Sequence, residues 1–123
     1  MDPHFSHLFV AVRDLHETYR FYVELLGLEV LVGGPERTYL RVGGGGGFHI
    51  GFEAIPGAAV ATEGIEIRVR VDDVDAAFAR LRAAGVPNDG PPADQGWGAR
   101  HAWVRDPTGY RVSIFSTDGP GLP

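Results

Sequence analysis

The sequence predicts an α+β fold built from two repeated βαβββ modules. Three observations predict it. A strictly alternating apolar stretch near the N-terminus runs into a capped helix; the same arrangement recurs 59 residues later (Asp14 to Asp73, 73 − 14); and alternating segments follow each helix. The 123 residues fit one domain, 1–123. Module one covers about 5–55 and module two about 64–117, with a short linker around 54–64.

The first strand is His7 to Val12, with Leu8, Val10 and Val12 on one face and His7, Phe9 and Ala11 on the other. Asp14 reads as a helix N-cap with Glu17 as its capping-box partner. Leu15, Tyr19, Tyr22 and Leu26 then follow at helical spacing, and Gly27 stops the helix. Strands are expected at Glu29 to Val32, Thr38 to Val42 and Phe48 to Glu53; the run Gly43 to Gly47 is a hairpin connection. In the second copy, Ile65, Ile67, Val69 and Val71 alternate with Glu66, Arg68 and Arg70. Asp73 caps a helix with Val74, Phe78 and Leu81 on its apolar side, ended by Gly85. A short strand near Val86 and strands Arg100 to Arg105 and Tyr110 to Ser116 complete the module, the last two joined by the turn Asp106-Pro107-Thr108-Gly109.

Composition narrows the function. The net charge of −5 argues against nucleic acid, which selects basic faces. The absence of cysteine excludes disulfides, thiolate chemistry and zinc ribbons. The N-terminus has no secretory pattern and no apolar run is long enough to span a membrane, so a soluble cytoplasmic protein is expected. His16-Glu17 does not begin a zinc HExxH motif, because Arg20 takes the last place.

Alternation sends one set of side chains to the faces turned away from the helices. These are His7, Arg41, His49, Glu53, Glu66, Arg68, Arg70, His101, Trp103 and Ser113, with Phe9, Tyr39 and Phe115 among them. So many polar groups must meet water, ligand or one another. Aromatic walls with convergent polar groups are the make-up of a ligand pocket. Arg41, Arg68 and Arg70 favour an anionic or carboxylate-bearing ligand. Trp97, between two glycines in the Gly/Pro-rich segment 88–99, is a candidate lid over such a pocket or a contact with a partner subunit.

Several motifs now add up. Arg13-Asp14-Leu15, Phe21-Tyr22 and Leu26-Gly27-Leu28 are followed by Val71-Asp72-Asp73-Val74 and Ala83-Ala84-Gly85. Gly96-Trp97-Gly98-Ala99-Arg100 and Asp106-Pro107-Thr108-Gly109-Tyr110 close the chain. In this order they resemble the vicinal oxygen chelate superfamily, which includes glyoxalases, bleomycin-resistance proteins and extradiol dioxygenases. The resemblance implies a half-open cup of strands with the helices outside, and a homodimer. In metal-using members it implies four ligand positions, which fall here on His7, Gly51, Glu66 and Ser113. His7 and Glu66 suit a divalent metal (zinc, nickel, iron or manganese), but glycine offers no side chain and serine is a poor ligand.

Two functions follow from the resemblance. The first is a small-molecule-binding protein of the bleomycin-resistance type, holding an aromatic or carboxylated ligand without essential metal. The alternative is a divalent-metal lyase, isomerase or dioxygenase, with metal on His7 and Glu66 and with Glu53 as the base. The missing last-strand ligands favour the first, and no cofactor is expected.

Overall fold

A computed structural model describes residues 1–61, 63–96 and 98–117. The chain forms two compact units, Met1–Ala59 and Val60–Pro123. Each contains an open four-stranded mixed sheet, so the α+β class and the βαβββ repeat are both present. No helix among the described residues is long and apolar enough to cross a membrane.

In the first unit, β1 (Leu8–Val12) leads to α1 (Leu15–Tyr19), then to β2 (Glu29–Gly33), β3 (Tyr39–Gly43) and β4 (His49–Ala54). The sheet order is β1-β4-β3-β2, with β1 parallel to β4 and the other pairs antiparallel. Helix α1 starts where the sequence places it: the Asp14 carboxylate accepts the Glu17 N–H at 3.0 Å. The plain helix expected to Leu26 is not formed. From Arg20 to Leu25 the chain widens into a π-helical turn. That wider turn accompanies two adjacent large rings, Phe21 and Tyr22, both fully packed. Tyr22 stacks on Phe52 of β4, and with Val10, Val12, Leu40, Val42 and Ile50 they make the core of this unit. Leu8, expected to join them, is 39% exposed because it opens an edge strand.

In the second unit, β5 (Ile67–Arg70) leads to α2 (Val74–Ala83), β6 (Ala93–Asp94), β7 (Ala99–Arg105) and β8 (Arg111–Thr117), in the order β5-β8-β7-β6. Asp73 caps α2 by accepting the Ala76 N–H. Val74, Phe78 and Leu81 bury the helix face, and Val104, Val112 and Ile114 are buried on the strands. Arg100 fixes the other side of the helix with a two-pronged bond to Asp75, 3.0 Å on each oxygen, and a third bond to Asp94. This guanidinium holds the Asp75 carboxyl below the usual carboxylate range. The strand expected near Val86 is reduced to an isolated Asn88–Val104 bridge, and pairing resumes at β6. Pro87, Pro91 and Pro92 lack the N–H groups a continuous ladder needs.

The closing hairpin is tied by Asp106. Its buried Oδ1 accepts the N–H groups of Thr108, Gly109 and Tyr110 at 3.0, 2.8 and 2.9 Å. Gly109 sits at φ 113°, which suits glycine.

The two units carry the same register. Gly51 lies between Phe9 and Arg41 in the first sheet, and Ser113 lies between Arg68 and Trp103 in the second. The first strands are offset by 59 residues (68 − 9) and the last two strands by 62 (113 − 51, 103 − 41).

Candidate functional site

Each sheet packs one face on its own helix and leaves the other open. On the first sheet, the register places Phe9 and Ala11 of β1, Tyr39 and Arg41 of β3, and His49, Gly51 and Glu53 of β4 on the open face. His7 immediately precedes β1 and reaches the same cluster through Arg41. Phe9 is exposed; His7, Tyr39, Arg41, His49 and Glu53 are half-buried.

Tyr39 decides what this face can do. A Cβ on Gly51 would overlap the Tyr39 hydroxyl and stand 2.8 Å from Cζ. The phenol therefore fills the space a side chain at 51 would take. The Arg41 Nε–H donates to this hydroxyl at 3.0 Å, and Arg41 Nη2 lies 3.3 Å from His7 Nε2. On the other ring nitrogen, His7 Nδ1 is 2.8 Å from Ser6 Oγ.

On the second sheet, the open face carries Arg68 and Arg70 of β5, His101 and Trp103 of β7, and Arg111, Ser113 and Phe115 of β8. His101 stacks on Phe115, with centroids 4.7 Å apart and planes 7° apart, and on Trp103 at 5.2 Å. Glu66, just ahead of β5, gathers two hydrogen-bond donors and a second guanidinium at ion-pair distance. Its Oε1 accepts from Arg68 Nε at 2.9 Å and from Trp103 Nε1 at 3.2 Å, while Arg111 Nε lies 3.7 Å from Oε2. The Arg111 guanidinium also lies over the Trp103 ring, 5.4 Å from its centroid.

His101 Nδ1 and Ser113 Oγ share a hydrogen bond of 2.5 Å. Such a pair invites comparison with a nucleophile and its base, but both side chains are almost fully buried. Burial holds the His101 imidazole below its ordinary value, and the nearby Arg68 charge lowers it further against the opposing Glu66. The pair is a neutral strut. It is also the counterpart of Tyr39 and Gly51: His101 lies 62 residues after Tyr39 (101 − 39), as Ser113 lies after Gly51 (113 − 51). In both units, a ring on the middle strand covers the same last-strand position.

The arrangement therefore joins most of the residues read from the sequence, each within its own unit. Glu53 lies opposite Tyr39 in the β3–β4 register, two residues from Gly51. Trp97 lies outside the described residues. Sequence reasoning missed Arg111, although its two-residue spacing from Ser113 placed it on the open face. It also missed that Tyr39 and His101 are equivalent, which the offset of 62 would have shown.

The four implied metal positions do not suit a metal ion. Gly51 has no donor and its space is filled by Tyr39; the Ser113 hydroxyl is committed to His101. His7 Nε2 faces a guanidinium, and Glu66 is engaged by Arg68, Trp103 and Arg111. No cluster of three or more His, Cys, Asp or Glu side chains among the described residues is placed to hold a metal.

Two βαβββ units in matching register, each with an open face of rings and polar groups, define a duplicated α+β class. The chain belongs to the Glyoxalase/Bleomycin resistance protein/Dioxygenase superfamily, whose family model matches residues 4–114. Among solved structures it is similar to TnmS3, an antibiotic-binding protein from Streptomyces sp. CB03234. Identity is 30%, the TM-score is 0.71, and the match covers 95% of this chain and 98% of that one. A glyoxalase/bleomycin resistance protein/dioxygenase from Nocardioides is 25% identical, with TM-score 0.69 and coverage of 100% and 89%. The fosfomycin resistance protein FosX from Listeria monocytogenes shares the fold, with TM-score 0.73, 18% identity and 94% of each chain covered. No protein of curated function matches the sequence.

Proposed function

We propose that this protein binds a small aromatic or carboxylated molecule on its open sheet faces and needs no metal to do so. One observation carries the reading. On the second sheet two guanidiniums, Arg68 and Arg111, converge on the single carboxylate of Glu66, and Arg70 adds a third positive charge beside the stacked rings of Trp103, His101 and Phe115. Arg70 is exposed on this face and supplies positive charge for an anion, while the half-buried Trp103 ring offers apolar surface to an aromatic body. The similarity to an antibiotic-binding protein supports a binding role. The same reading takes the protein to be a cytoplasmic homodimer.

A thermal-shift screen tests it. Aromatic carboxylates, keto acids and phosphorylated acids are compared with cationic drugs, on the wild type and on Arg68→Ala. A ligand at a hundredfold excess over its dissociation constant stabilises the fold by about 2.7 kcal/mol. Anions are expected to raise the melting temperature and Arg68→Ala to abolish the rise. Stabilisation by cations alone would make the arginines internal ion-pair partners and overturn the proposal.

A further inference from the structure

We infer that Arg41 and Tyr39 form a carboxylate-binding subsite on the first sheet, in which the Arg41 guanidinium supplies the positive charge and Gly51 supplies the room. The inference rests on the proposed binding role and adds the groups that take the ligand's charge in the first unit.

The donor arithmetic carries it. A guanidinium has five N–H groups. Arg41 commits Nε–H to the Tyr39 hydroxyl and one Nη2–H to His7 Nε2. Three N–H groups are left, enough for a two-pronged bond to a carboxylate. The Tyr39 oxygen accepts from Arg41 and keeps its own hydrogen as a fourth donor. His7 keeps the set in order. Its Nε2 lies 3.3 Å from Arg41 Nη2 and its Nδ1 lies 2.8 Å from Ser6 Oγ, so the ring is anchored on both sides.

The charge balance points the same way. Arg41 is half-buried, yet among the described residues no carboxylate lies within ion-pair distance of it. Its partners are a phenol, an imidazole and the Tyr39 ring, whose centroid lies 5.6 Å from the guanidinium carbon. A partly buried cation without a carboxylate partner is stabilised by an anion that matches its fork. Gly51 is what makes this possible, since any side chain there would displace the phenol that orients Arg41.

The test is a titration of nitrogen-15-labelled protein with sodium benzoate at fixed ionic strength, read by NMR at the arginine Nε–H groups. Arg41→Met assigns the reporter. A saturable shift of the Arg41 Nε–H is expected. Tyr39→Phe should weaken it about tenfold or more, as loss of a charged hydrogen bond does. If Arg41→Met does not fold, Arg41→Lys, which keeps the charge but lacks the guanidinium Nε–H, assigns the reporter in its place. Arg68→Ala should leave the Arg41 response in place. A response linear in benzoate, or unchanged in Tyr39→Phe, overturns the subsite. Saturation confined to Arg68 and Arg111 overturns it too, while leaving the proposed function standing; no saturation at any arginine overturns both.

Discussion

Gly51→Ala is the sharpest test of how the first sheet is built. The backbone there is ordinary strand, so no left-handed conformation favours glycine. Alanine in a strand would normally gain about 0.5 kcal/mol over glycine. Here the added Cβ would overlap the Tyr39 hydroxyl, and the phenol must swing away. That swing breaks the Arg41–Tyr39 bond, worth about 1.5–3 kcal/mol to a charged donor. The net effect is a loss of about 1.5 kcal/mol, the difference of these terms with the half-buried phenol partly rehydrated. Urea unfolding measures it, and a double-mutant cycle isolates its cause. In a Tyr39→Ala background the obstacle is gone, so Gly51→Ala should be neutral or mildly stabilising, with a coupling of about 1 kcal/mol or more. Equal costs in both backgrounds would mean that Tyr39 is not the obstacle to a side chain at 51.

Other outcomes follow from the same geometry. Asp106→Ala leaves three N–H groups of the closing hairpin without their acceptor and should cost about 2–3 kcal/mol in urea unfolding; Asp106→Asn, which keeps Oδ1, should cost clearly less. His101 is held below its ordinary value of about 6.5, so below that pH the unfolded chain takes up a proton the folded chain refuses. Stability should therefore fall as pH drops from about 6.5 through the folded value. Above about 6.5 His101 should add no slope, and His101→Gln should flatten the profile; an unchanged profile in the variant would contradict the assignment. Phe9, Leu31, Val32 and Phe48 of the first unit are exposed, and β1 and β2 are sheet edges, so light scattering at micromolar concentration should give twice the 13.3 kDa chain mass.

Much of this fold is written in local pattern. The N-caps Asp14 and Asp73 depend only on near neighbours and the structure places them as read, while the alternation of β1 and β5 holds in the strand interiors and fails at exposed Leu8, which opens β1, and exposed Ile65, which lies ahead of β5. The interrupted pairing before β6 and the π turn at Arg20–Leu25 depend on packing of Phe21 and Tyr22 and on three prolines in context, which alternation does not weigh. The open faces were legible as sets of residues, because register follows from period two. Their internal connections were not. Tyr39 lies across from Glu53 yet covers Gly51, and His101 lies across from Phe115 yet bonds Ser113. Those diagonal contacts are chosen by side-chain rotation, and a sequence read strand by strand cannot show them. They matter most for function, because they turn two nominal metal positions into a phenol-filled gap and a buried neutral strut.

Arginines on the open faces are expected to bind an organic anion without metal. Calorimetric titration of the best carboxylate from the thermal screen into chelator-stripped protein tests it directly. Saturable binding, unchanged when zinc, nickel, iron or manganese is added back, is the expected result. Binding that vanishes on stripping and returns with one equivalent of metal would contradict it.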